Sequence, residues 1–258
     1  MIAEPTYFYS WEIIMKKHLI ALTLCAMLPV QATLAAPPSQ TVRTAPPPAA
    51  AQVTSPLPEN MQRELAQATS LIQRHQNAQA LPILNRLIAQ ADAEFRRQGN
   101  VRASSNRPHT LLLLAEAANR RQTVKVVSAD WLLPRYFRAF TAVEQSNYAA
   151  AAADLDAVLE IAPYEPQFLS ERGQVANGQK DFATSDRIFN RLSEAAKTLP
   201  DRAQSVFFQG MALRGQGYAA VERGQWQAAE QYYLQALRLN PNDQAAKNEL
   251  DFVRRHRR

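Results

Sequence analysis

The stretch Gly217–Pro241, GYAAVERGQWQAAEQYYLQALRLNP, decides the fold. Gly217, Ala220 and Gly224 recur three and four positions apart, so they share one face of a helix and let a neighbouring helix come close. Gly224 ends that first helix. Trp226, Ala229, Tyr233 and Ala236 keep the same spacing beyond it, so a second helix carries a stripe of alternating large and small side chains that runs to Leu239 and stops at Pro241. A small face opposite a large and small stripe is what an antiparallel helical hairpin needs.

The same internal distances recur upstream. In AFTAVEQSNYAAAAADLDAVLEIAP, which ends at Pro163, Ala139, Ala142, Ser146, Tyr148, Ala151, Leu155 and Val158 stand where Gly217, Ala220, Gly224, Trp226, Ala229, Tyr233 and Ala236 stand. Thirty-four residues after Ala139 comes Gly173, followed in register by Ala176, Phe182, Ser185, Phe189 and Leu192. The next step, to Gly217, is ten residues longer. Glu194 to Val206 is therefore expected to hold an extended second helix, a loop at Leu199-Pro200-Asp201, and a new helix capped by Asp201.

This pattern resembles the tetratricopeptide repeat, whose glycine, alanine, aromatic and terminal proline slots are filled here nearly completely and whose period is 34 residues. The resemblance implies an all-α solenoid of antiparallel helix pairs. Clear repeats are expected at about 132–165, 166–199 and 210–243, with a degenerate one at about 61–94. In that first repeat Leu65, Ala68 and Leu71-Ile72 make one stripe, and Ala80, Leu81, Leu84, Leu87 and Ile88 another, with Pro82 assigned to the first turn of its helix. A capping helix at 242–256, opened by Asn242, would cover the last repeat with Ala246, Leu250 and Val253.

Residues 1–35 read as an export segment. Lys16, Lys17 and His18 precede an apolar run from Leu19 to Val30, and small residues near Ala35 suit cleavage there. The run is shorter than the ~20 residues that span a bilayer, so no transmembrane span is expected in the mature chain, and Met15 is the expected start. Cys25, the one cysteine of the chain, would be lost with the segment. The mature chain then has no thiol chemistry and must rely on packing. Residues 36–59, with Pro37-Pro38 and Pro46-Pro47-Pro48, read as a linker ahead of a folded part at 60–258.

Residues 96–138 hold nine basic residues against Glu116 and Asp130. Gly99 to Pro108 is expected to be a loop and Thr110 to Arg121 a helix, before a short β-like composition at Thr123 to Ser128. Arg96, Arg97, Arg120 and Arg121 form a candidate basic patch for an anionic envelope component. Export argues against nucleic acid as partner despite a pI near 9.6.

No set of catalytic, cofactor or metal residues converges in the sequence. His75, His109 and His256 are far apart, and there is no paired cysteine or glycine-rich phosphate loop. Asp154, Asp156 and Glu160 are placed by periodicity on the outer face of their helix. The expected role is non-catalytic protein–protein interaction, as an exported adaptor or scaffold in the cell envelope of a Gram-negative bacterium, periplasmic or at the outer membrane. The resemblance implies a concave groove lined by the first helices, taking a protein or peptide. The repeat frame assigns to it Tyr136, Phe140 and Val143, then Gln174 and Asn177, then Arg214, Tyr218 and Val221.

Overall fold

The computed structural model describes residues 56–257, so the expected export segment and most of the linker lie outside the described residues. Ten α-helices are described: α1 Glu59–Gln73, α2 Asn77–Gln98, α3 Arg107–Asn119, α4 Leu133–Glu144, α5 Tyr148–Ile161, α6 Pro166–Gly178, α7 Phe182–Lys197, α8 Arg202–Glu222, α9 Trp226–Leu239 and α10 Gln244–His256. They pack as the pairs α1/α2, α4/α5, α6/α7 and α8/α9, with α10 laid on α9. This is the helical-repeat architecture that the spacing predicts.

Every first helix ends in one device. His75, Ser146, Lys180 and Gly224 all have positive φ, between 57° and 70°. The amides after each turn back to carbonyls of the last helical turn, as in Asn147 N to Ala142 O and Gln225 N to Ala220 O, both at 2.8 Å. Such a left-handed residue satisfies the open carbonyls of a helix end and reverses the chain. Only the fourth copy uses the glycine that suits this conformation. Side chains open several second helices: Asn147 accepts from Ala150 N, and Asp181 from Thr184 N. Asp201 caps α8 through Ala203 N and Gln204 N, after α7 has run on to Lys197, as the ten extra residues require.

The core follows the repeat frame. Ala80, Ala151, Ser185 and Ala229, then Leu84, Leu155, Phe189 and Tyr233, then Leu87, Val158, Leu192 and Ala236 are each at most 1% exposed. Large second-helix side chains lie on small first-helix residues. A methyl group added to Gly217 would fall 2.7 Å from the Tyr233 ring, and one on Gly173 would fall 2.8 Å from the Phe189 ring. At the far end Leu250 and Val253 of α10 pack on Ala220, Ala229 and Tyr233. The cap of α10 is Asp243, which accepts from Ala246 N, and not Asn242, because the chain makes a further turn after Pro241. Pro82 lies in the second turn of α2, one turn later than expected, because α2 begins at Asn77. There it forgoes one backbone hydrogen bond.

The expected loop at 99–108 is different. Val101–Ser104 forms β1, which pairs in parallel with β2, Lys125–Ser128, in the register Val101↔Lys125 to Ser104↔Ser128. A parallel pair needs a crossover, and α3 supplies it. Val101, Ala103, Val126 and Val127 are buried, which explains why so short a run forms a strand. A 3-10 turn, Ala129–Leu132, then leads into α4, with Trp131 packed near Phe95. The helix α3 ends in the same left-handed device, at Arg121, but a strand follows where a second helix would stand.

Candidate functional site

The first helices α6 and α8 lie side by side, and side chains tie α4 to α6. Each carries three places one helical turn apart, at three residues before, one after and four after its close-packing residue Ala139, Gly173 or Gly217. The structure treats these places differently.

The earliest places are Tyr136, Ser170 and Arg214, and each reaches forward to the next first helix. Tyr136 is 3% exposed, its ring lies 5.4 Å from Phe168, and its hydroxyl accepts from Gln167 Nε2 at 2.7 Å. Burial raises this hydroxyl well above the ordinary tyrosine pKa, against the pull of the Gln167 bond. Ser170 Oγ sits 3.9 Å from the Met211 sulfur, and Arg214 is ion-paired with Asp243 at the start of α10. Tyr136 and Arg214 thus couple repeats and are not open to a ligand as the groove assignment required. The register of the stack places them over the following helix.

Of the latest places, Val143 and Val221 are half-buried, whereas Asn177 is less open than the sequence suggested. Asn177 is 2% exposed and donates from Nδ2 to Gly215 O at 3.1 Å, while its Oδ1 is buried without a hydrogen-bond partner. The middle places, Phe140, Gln174 and Tyr218, remain half-buried and form the accessible row. Gln174 Nε2 donates to Ser170 Oγ at 3.3 Å. Burial, then the charge and hydrogen bond of Glu222, push the Tyr218 hydroxyl up to about 12.

Two acids missing from the sequence assignment border this row. Glu171 in α6 is 9% exposed, and burial alone pushes its carboxyl up to about 7. Glu249 in α10 lies 34 residues after Gly215, which stands in α8 where Glu171 stands in α6. Burial raises Glu249 too, but the charge of Arg214 opposes that rise. The sequence signal was present, since both acids fall two residues before the small-residue place of the frame, or its continuation. It was masked because helical periodicity alone does not separate an acid on a buried flank from one in solvent.

The basic block is partly dismantled by pairing. Arg135 bonds Asp92 at 2.7 Å, and Arg138 holds both oxygens of Asp154 at 2.6 and 2.8 Å. Asp154 is therefore 7% exposed and structural, which corrects its assignment to a solvated face: α4 covers it. Asp156, on the same helix, pairs with Arg172 at 2.7 Å. Arg96, Arg120 and Arg121 are exposed, while Arg97 is exposed but bound to Glu94 at 2.7 Å. In addition, α3 exposes Leu111 and Leu112, at 53% and 39%.

The unit β1–α3–β2 docks on the array through polar groups. His109, 1% exposed, has Nε2 3.1 Å from Ala195 O and 3.0 Å from Thr198 Oγ1, and its Nδ1 faces Asn106 Nδ2 at 2.8 Å. Burial lowers its pKa below 6.5, against the Ala195 carbonyl. Ser105 Oγ donates to Glu165 at 2.7 Å, and Tyr164 donates to Glu116. Glu165 is pushed up to about 7, by burial first, with the Ser105 bonds opposing. Among the described residues no group of three or more His, Cys, Asp or Glu could hold a metal ion, and no helix is long and apolar enough to cross a membrane.

Residues 210–243 match the family model described as tetratricopeptide repeat. Among solved structures, the chain is similar to the MamA RS-1 ArsTM double mutant, at 14% identity over 78% of this chain and 86% of that one, with a TM-score of 0.50. It is also similar to the first TPR of Spaghetti (RPAP3) bound to an HSP90 peptide, at 21% identity over 48% of this chain and 90% of that one, TM-score 0.41. The N-terminal domain of stress-induced protein-1 from C. elegans aligns at 17% identity over 49% of this chain and 96% of that one, TM-score 0.42. No curated protein matches the chain. At these identities the likeness speaks for fold alone: the described residues form an all-α, tetratricopeptide-like helical repeat with its helices packed in pairs.

Proposed function

We propose that this chain is a non-catalytic adaptor or assembly scaffold of the bacterial cell envelope that holds a segment of a protein partner along the row Phe140, Gln174 and Tyr218. The carrying observation is that these three side chains occupy one repeat position on successive first helices and all stay half-buried, while Tyr136, Asn177 and Arg214 beside them are taken up in coupling the helices. Two aromatics flanking an amide are suited to an extended segment that brings apolar side chains and backbone polar groups. Export, and with it a periplasmic or outer-membrane setting, is supported by Lys16-Lys17, the apolar run and the small residues near Ala35.

A second reading gives anionic envelope material to the basic segment 96–138, favoured by exposed Arg96, Arg120 and Arg121 and by the exposed Leu111 and Leu112 of α3. The two readings separate in one experiment. Phe140→Ala with Tyr218→Ala should abolish capture of the protein partner and depend weakly on salt, since desolvated aromatic contacts dominate such interfaces. Arg96, Arg97, Arg120 and Arg121 changed together to Gln should weaken only retention on anionic vesicles, an attraction screened over ~8 Å at physiological ionic strength. If the arginine variant loses the protein partner and the aromatic variant keeps it, the row is not the binding site and the basic segment is.

A further inference from the structure

Glu171 is an acid without a counter-charge, placed where a related junction has one. It shares a stripe of α6 with Gln167, Gln174 and Gly178, at helical spacings of four, three and four. That stripe faces α4 and the start of α5, because Gln167 bonds the Tyr136 hydroxyl and Gly178 packs on the Tyr148 ring. The carboxylate therefore lies in the cleft between α4 and α6. Phe140 stands one turn beyond Tyr136 on the same face of α4. The adjacent Arg172 is turned the other way, to Asp156 on α5.

At the junction of α8 and α10, Glu249 has Arg214 to oppose the effect of its burial. Tyr136 stands in α4 where Arg214 stands in α8, so the corresponding cation is replaced by a phenol. Burial raises Glu171 to about 7, and no charge or hydrogen bond offsets it. A carboxylate taken out of water needs an opposite charge or a proton, and an apolar side chain would fill the same space at lower cost.

We propose that the α4–α6 cleft is a pocket for one cationic side chain of the partner, a lysine or arginine, with Glu171 as its counter-ion and Phe140 as its aromatic wall. The inference rests on the first-helix row being the partner surface, and adds the chemistry of one of its positions. It makes the preferred segment basic at one point.

The test uses pools of acetylated nonapeptide amides, randomised except for a central lysine, arginine, glutamate or norleucine, offered to the full chain. The chain should retain the lysine and arginine pools about thirtyfold better than the norleucine pool. Both Glu171→Gln and Glu171→Met should reduce that preference to none, and Phe140→Ala with Tyr218→Ala should lose all pools. Melting at pH 8 gives a second readout, in which both Glu171 variants should be at least as stable as the parent. A preference that survives either substitution overturns the pocket and leaves the row intact, as does a parent without preference. A fall in melting temperature in both variants would show Glu171 satisfied within the chain and also overturn it. If the parent retains no pool, the row itself fails and the pocket with it.

Discussion

Between α8 and α9 the contact is steric: Gly217 has no room for a methyl group against Tyr233, and Ala229 and Ala236 are fully buried beside it. Between α3 and α7 the contact is polar: the His109 ring meets Ala195 O and Thr198 Oγ1, and nearby Ser105 bonds Glu165. The first kind of contact responds to side-chain volume, the second to protonation. The row proposed to face a partner would keep its spacing through the first. The inserted unit, which exposes Leu111 and Leu112, answers to the second.

The largest expected effect is on the array. Truncation after Pro241 removes Leu250 and Val253 from Ala220, Ala229 and Tyr233. At ~1.5–3 kcal/mol for each fully buried aliphatic side chain, the loss is about 3–6 kcal/mol, and neighbour coupling spreads it through the stack. Urea unfolding followed by circular dichroism should show a lower midpoint for the whole helical signal; an unchanged midpoint would mean that α10 is not the lid.

Next comes volume at the hairpin. Ala229→Leu should cost about 1–3 kcal/mol by overpacking. Gly217→Ala should also destabilise, because its methyl group would stand 2.7 Å from the Tyr233 ring. Neither change should alter how α3 responds to pH. If either does, the array and the inserted unit are not separate in energy.

Protonation gives the third contrast. Glu165 is raised from 4.5 to about 7, so docking binds a proton, and its contribution is complete below 4.5 and lost as pH rises through 7. His109 is lowered from 6.5, so docking favours the neutral ring, and its contribution is complete above 6.5 and lost as pH falls below that value. The two slopes oppose each other just below pH 6.5. Glu165→Gln should leave the histidine slope, a loss of up to about 1.4 kcal/mol for each pH unit below 6.5, and His109→Gln the reverse slope. Limited proteolysis of residues 99–128 across pH reads both. The same direction in both variants would contradict the assignment.

The smallest effect on stability belongs to the basic patch. Changing Arg96, Arg97, Arg120 and Arg121 to Gln should move unfolding by no more than ~0.5 kcal/mol for each exposed site, since the only ion pair among them that is formed in the array is the surface contact of Arg97 with Glu94. A larger loss in thermal melting would show that these arginines hold the inserted unit down.

The repeat frame was legible because close packing allows few sizes at Gly217, Ala229 and Tyr233, and the same few sizes return at Gly173, Ser185 and Phe189. Even the elongated α7 and the Asp201 cap followed from a ten-residue excess. The inserted unit was legible only as an interruption. Its strands are four residues each, and what makes them strands is each other, across α3. The frame named Phe140, Gln174 and Tyr218, proposed above as the row, but could not tell them from Tyr136, Asn177 and Arg214, because which places couple repeats depends on register between helices. Asp154 was read as a surface charge for the same reason.

Hydrogen exchange of the Glu165→Gln variant, compared at pH 7.5 and 5.0 after correction for intrinsic rates, tests most directly whether the docking of α3 responds to protonation separately from the array. The account predicts that amides of α3 lose protection at pH 5.0 while those of α4, α6 and α8 keep theirs. Loss of protection in α3 and the array together, or in neither, would contradict it.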